Sequence, residues 1–159
     1  LGFIRPLQEK LGPLNGMRAA VIGAGGAARA AIWALRQDRA NVTVFARDVR
    51  KAQPLSETFK IASQPLAGAR FANYDLVVNT TPLGSGAHID QSPVTAEQLN
   101  GVRCVYDLIY NPAETKFLQE GSKAGCERIG GLEMLVAQAW IQFELWVREY
   151  RAEGPSASR

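Results

Sequence analysis

The chain has 159 residues, 47% of them hydrophobic, with 18 basic against 15 acidic residues and a net charge of +3. That suffices for one globular domain with a packed core and is too balanced for a nucleic-acid footprint. No apolar run reaches the roughly 18 residues of a membrane span, and 21% charged residues with ordinary glycine and proline content exclude general disorder.

The chain opens "LGFIRPLQEKLG", where Leu1, Ile4, Leu7 and Leu11 recur at helical spacing. No basic segment or cleavage signal precedes them, so residues 1–11 read as a helix arriving from a preceding domain that this chain lacks. Gly12 and Pro13 break it. "RAAVI" (18–22) reads as a buried strand, residues 26–37 as a helix and "NVTVF" (41–45) as a second strand. A helix over 48–60, irregular at Pro54, precedes a poorly patterned stretch, 61–73, with room for a short strand near Ile61.

"DLVVN" (75–79) is the next strand, followed by a loop over 81–93 rich in proline and glycine. A short helix, "TAEQL" (95–99), a strand, "RCVYDLI" (103–109), and a helix over 113–125 come next. "CERI" is a last short strand. A long helix from Leu132 to Tyr150 closes the domain, leaving 151–159 as a polar tail. Strand and helix alternate, and the strands are continuously apolar. That combination predicts an α/β, Rossmann-like doubly wound fold: a mainly parallel sheet with helices on both faces, spanning 1–150. Ligands then bind beyond the carboxyl ends of the strands, so the loops 23–26, 46–51, 79–86 and 110–112 carry the chemistry.

Cys104 and Cys126 lie in apolar surroundings and read as reduced core residues, which suits a cytoplasmic protein. The lone His88 sits in a loop. One histidine and two separated cysteines do not make a zinc site, so no metal is expected.

The segment "VIGAGGAARAAIWAL" (21–35) sets Gly23, Gly25 and Ala28 in a G-x-G-x-x-A pattern between a strand and a helix. Gly23 permits the tight turn, Gly25 lets a pyrophosphate approach the backbone, and Ala28 lets helix and strand pack closely. The phosphates would rest on free N–H groups at the positive end of the helix. An NAD site usually places an acid at the end of the second strand to hold the ribose. Here that strand runs into "ARDVRKA", where Ala46 cannot accept a hydrogen bond and Arg47, Arg50 and Lys51 cluster. Such a cluster fits a 2′-phosphate, which favours NADP. Asp48 reads as the N-cap of the next helix, with a ribose contact as the alternative.

Five motifs in order resemble the C-terminal, NADP-binding half of the shikimate dehydrogenase family, from about Leu1 to Tyr150. They are "GAGGAARA" (23–30), "ARDVRKA" (46–52), "NTTPLGS" (79–85), "YDLIYNP" (106–112) and "GGLEMLVAQA" (130–139). The resemblance implies reversible reduction of 3-dehydroshikimate to shikimate with NADPH. It also implies that Gly25, Gly26 and Ala27 bind pyrophosphate, while Arg47 and Lys51, with Arg50 beside them, hold the 2′-phosphate. Thr80 would lie by the adenosine ribose or adenine, and Leu108 and Gly131 would border the nicotinamide. Tyr110 and Gln138 would reach the substrate. Gly131, Gln138 and Gln142 share one helical face, and Gln138 sits between apolar neighbours as a buried amide would.

Ala46 and Asp48 replace the family's usual Asn and Thr around Arg47, and Lys116 stands where relatives often carry proline. The family's catalytic lysine and aspartate belong to an N-terminal domain to which nothing here corresponds. None of Lys10, Lys51, Lys60, Lys116 and Lys123 is matched with an aspartate in a crevice loop, so no catalytic residue is assigned and the chain alone is expected to be inactive. Two alternatives remain open: an NAD-dependent quinate/shikimate dehydrogenase domain, and a non-catalytic dinucleotide-binding regulatory module. Some relatives also carry a fused dehydratase.

Overall fold

The computed structural model describes residues 2–153, with side chains through Arg148. Helix α1 (Ile4–Leu11) leads into β1 (Arg18–Ile22), α2 (Gly26–Gln37), β2 (Asn41–Ala46), α3 (Val49–Phe59) and β3 (Ala62–Pro65). The second half comprises β4 (Leu76–Asn79), β5 (Cys104–Asp107), α4 (Lys116–Lys123), β6 (Glu127–Ile129) and α5 (Gly131–Glu153). The six strands form one sheet in the order β3-β2-β1-β4-β5-β6, and every pairing is parallel. Chain order therefore reverses between β1 and β4, where Ile22 lies opposite Asn79.

Successive strand residues point to opposite faces, and here both faces are buried. Ala19, Val21, Val78 and Tyr106 pack on one side with α1, α2 and α3; Leu7, Ile32, Leu35 and Leu55 are the helical partners. Ala20, Ile22, Val77 and Val105 pack on the other with Phe71, Leu99, Phe117 and Leu118. The sheet is thus doubly covered, though the second face holds one described helix, α4, and otherwise the irregular segments around Phe71 and Leu99. Phe3 stacks on Tyr106 with ring centroids 5.0 Å apart, tying the start of the chain to the first core.

Most elements fall where the hydrophobic pattern places them, including the short strand near Ile61. The expected helix over 95–99 does not form. Instead Gln98 accepts the Thr95 N–H through its side chain and donates to the Ala69 carbonyl, holding the segment as turns over Phe71. The strand at 103–109 shortens to Cys104–Asp107 and the helix at 113–125 to Lys116–Lys123, the latter because Thr115 caps it at Leu118 N–H. Helix α5 runs on to Glu153, past the Tyr150 expected as its end. Leu1 and residues 154–159 lie outside the described residues.

Cys104 and Cys126 are both buried free thiols, and burial pushes the Cys104 thiol up to about 12. Among the described residues no helix is long and apolar enough to cross a membrane, and no three His, Cys, Asp or Glu side chains gather to hold a metal.

Gly121 brings α4 down onto β5: a Cβ there would run into the Val105 side chain, which is fully buried. Gly121→Ala overpacks that contact and should destabilise the fold by about 1–3 kcal/mol. A lower urea midpoint with an unchanged slope is the expected result; an unmoved midpoint would show that α4 yields without strain.

Candidate functional site

The reversal of chain order opens a cleft of about 540 Å³ at the carboxyl edge of the sheet, between the loops that follow β1, β2 and β4. Its floor is the glycine turn. Gly23 has φ +124°, a conformation a side chain would strain, and a Cβ there would collide with Thr80 Oγ1. Thr80 is fixed in turn: its hydroxyl and its N–H both donate to the Ile22 carbonyl, at 2.7 and 3.0 Å. Gly23 and Thr80 therefore meet at the switch point itself.

Beyond them, Gly25 and Gly26 are exposed, and a Cβ on either would meet nothing within 4 Å. No side chain caps the start of α2, and Arg29 N–H is bonded to the Gly25 carbonyl at 3.1 Å. The amides of Gly26, Ala27 and Ala28 precede that bond at the positive end of the helix dipole. Ala28 is buried beneath them, as close packing of helix on sheet requires. An anionic group resting there would find donors, positive potential and open space.

Arg47 and Lys51 line the same cleft from the end of β2 and the first turn of α3, and both are exposed. Arg50 does not join them. Asp48 caps α3 by accepting from Arg50 N–H at 3.1 Å, and its carboxylate takes the Arg50 guanidinium through two bonds of 3.0 Å. The hydrogen bonds from Arg50 hold the Asp48 carboxyl below its ordinary range. Arg47 and Lys51 thus line the cleft while Arg50 pairs with Asp48, which occupies the N-cap position of α3. His88 and Gln91 face the cleft from the 81–93 loop, a contribution the sequence pattern did not single out.

On the far side of β4, Leu108 is half-buried and Tyr110 is exposed on the loop after β5. Gly131 starts α5 hard against that loop: its N–H donates to the Ile109 carbonyl at 3.1 Å, and a Cβ would lie 2.5 Å from the Leu108 oxygen. Gln138 is not the buried amide that its apolar neighbours suggest. It is exposed, with its Cγ and backbone packed against Gly2. A larger groove of about 780 Å³ separates α1 from α5, but Pro6, Ile129, Leu132, Val136 and Trp140 make its walls mainly apolar.

The sequence pattern also missed a buried polar group behind the cleft. Asn79 and Asp107, register partners at the ends of β4 and β5, are fully buried and hydrogen-bonded at 3.1 Å, with Thr115 beside them. Burial pushes the Asp107 carboxyl up, against the hydrogen bonds from Thr115, Ile109 and Asn79 that pull it down. The folded chain then holds this proton more tightly than the unfolded chain does. Its contribution to stability falls as pH rises past about 4, the unfolded value. Asp107→Asn abolishes that slope, so the variant should gain on the wild type between about pH 4 and 7 in urea titrations. A stability gap that stays constant or widens over that range would contradict the shift.

Residues 6–99 match the profile of the Shikimate / quinate 5-dehydrogenase family. A shikimate dehydrogenase (NADP(+)) of Methanococcus maripaludis is 38% identical over 156 residues, covering 92% of this chain and 55% of the relative. One from Shouchella clausii is 41% identical over 138 residues, covering 84% of this chain and 50% of the relative. The chain spans about half the length of these relatives. Among solved structures, shikimate 5-dehydrogenase of Thermus thermophilus, in complex with NADP(H) and shikimate, superposes with a TM-score of 0.80 at 38% identity. That match covers 91% of this chain and 54% of the other. Quinate dehydrogenase of Corynebacterium glutamicum, in complex with NAD, gives 0.75 at 28% identity, covering 87% of this chain and 52% of the other. With its sheet order, its glycine turn and this match over more than half its length, the chain belongs to the shikimate/quinate 5-dehydrogenase family.

Proposed function

We propose that this chain is the NADP-binding half of a shikimate dehydrogenase that reversibly reduces 3-dehydroshikimate to shikimate. The observation that carries the reading is the cleft, with open glycines at a helix N-terminus at one end and Arg47 with Lys51 at the other. The amides of Gly25, Gly26 and Ala27 hold the pyrophosphate, and the two basic side chains hold the 2′-phosphate. Ala46 leaves no acid at the end of β2 to repel that phosphate, and Asp48 is already engaged by Arg50. Thr80 then borders the adenosine. Leu108 and Gly131 border the nicotinamide, and Tyr110 and Gln138 reach the substrate.

Bound NADPH would supply the hydride. The chain's own residues bind and orient; they offer no matched lysine and aspartate to protonate the developing alkoxide. That pair belongs, in this reading, to a second domain. Helix α5 fits such a partner, because Leu135, Val136, Trp140, Phe143, Leu145 and Trp146 are all exposed along it. Exposed apolar side chains gathered along one helix mark an interaction surface. The buried free thiols suit a cytoplasmic setting.

Calorimetric titration tests the cofactor assignment. A charge-assisted hydrogen bond contributes about 1.5–3 kcal/mol, or roughly ten- to a hundredfold in affinity. Arg47→Ala should weaken NADPH by that factor and leave NADH nearly unchanged, with Lys51→Ala acting in the same direction and Arg50→Ala doing little. Equal losses for both cofactors would assign Arg47 to the fold instead. Tighter wild-type binding of NADH would favour the NAD-dependent quinate/shikimate dehydrogenase reading.

A further inference from the structure

Asn79, Asp107 and Thr115 are the fully buried polar side chains among the described residues, and they form one group. Asp107 accepts from Asn79 Nδ2 at 3.1 Å, from Ile109 N–H at 3.1 Å and from Thr115 Oγ1 at 2.6 Å. All three partners are neutral donors. A carboxylate buried on such terms is costly, and an apolar side chain of similar shape would serve stability as well or better. What the carboxylate does achieve is a tie between three segments that are distant in sequence.

The first is the loop after β4. Asn79 Oδ1 accepts from Thr81 N–H and from the Thr81 hydroxyl at 3.0 and 2.7 Å, while Asn79 Nδ2 also donates to the Leu83 carbonyl at 3.2 Å. The second is the turn after β5, where Ile109 is gripped by Asp107 on one side and accepts from Gly131 N–H on the other. The third is the start of α4, where the Thr115 oxygen that donates to Asp107 also accepts from Leu118 N–H at 3.2 Å. Thr80 is held separately by the Ile22 carbonyl. Gly23 abuts Thr80 and Thr81, so the tie reaches the glycine turn only through the 80–81 backbone, while the basic arms follow β2.

We propose that Asp107 is a positioning residue for the nicotinamide half of the cofactor, setting the turn 108–110 against the end of β4 without touching the cofactor, while Thr80 keeps its place through the Ile22 carbonyl. The proposal rests on the reading of the cleft as an NADP site. It places Leu108 and Tyr110 under the control of Asp107 and leaves the adenosine half to Gly25, Gly26, Arg47 and Lys51.

The test compares NADPH with 2′-phospho-ADP-ribose, which carries the same adenosine half and lacks the nicotinamide. Asp107→Asn keeps the shape but replaces one acceptor oxygen by an N–H group, so the Thr115 hydroxyl that donates to it loses its acceptor. It should weaken NADPH about tenfold and 2′-phospho-ADP-ribose by less than about twofold, because a displaced 108–110 turn costs contacts that only the nicotinamide half makes. Amide exchange should quicken at Thr81, Leu83 and Ile109 and stay unchanged at Val21 and Val44. Thr115→Val, which loses the hydroxyl, should reproduce the selective loss, and Thr115→Ser should restore wild-type behaviour; this pair decides the matter if Asp107→Asn does not fold. Equal losses for both ligands, or no loss of NADPH affinity, would overturn the proposal. A wild-type chain that binds neither ligand would instead remove the cofactor reading, and unchanged exchange in the two loops would then still count against the tie.

Discussion

The contact of Gly23 with Thr80 at the junction of β1 and β4 is the constraint on which the rest of the architecture turns. Parallel strands on either side of that junction send their crossovers to opposite faces of the sheet, and the edges of the two loops are left facing a gap. Gly23 makes the gap usable. Its positive φ swings the chain sharply into α2, and the missing side chain leaves room for a threonine that β1 itself holds in place. A larger residue at 23 would push the two loops apart at Thr80.

From that junction the molecule divides its polar chemistry between two ends. Toward β2 the groups are exposed and positive, which suits an anion that brings its own charge and sheds its water at binding. Toward β5 they are buried and neutral apart from Asp107, which suits the placement of backbone, since a hydrogen-bonded group away from water has few alternative arrangements. Helix α5 is the exception to the economy of the fold. Its first residue is locked to the Leu108–Ile109 backbone, yet most of its length presents apolar side chains outward.

Much of this was legible in the letters. Continuous apolar runs mark β1, β2, β4 and β5 because a parallel sheet is buried on both faces, and the glycine pattern marks the turn because backbone geometry admits little else there. The failures have physical causes. The segment 95–99 is too short to hold a helix against the side-chain bonds of Gln98. Spacing groups Arg50 with Arg47 and Lys51 and does not reveal that Asp48, two residues earlier, pairs with it. Gln138 reads as buried because its neighbours are apolar, but Val136 and Ala139 face outward with it while Ala137 is buried, and helical period alone does not say which side the core lies on. Asn79 and Asp107 announce themselves only as polar letters ending apolar runs; that they are register partners emerges once the sheet is assembled.

The central claim is that the cleft at the β1/β4 junction, not the larger apolar groove between α1 and α5, receives NADP. Titrating the uniformly labelled chain with NADP+ and following backbone amide shifts tests it most directly. The largest changes should fall on Gly25 to Ala28, Arg47 to Lys51 and Thr80. Changes centred on Ile129, Leu132 and Val136, or none at saturating cofactor, would contradict it.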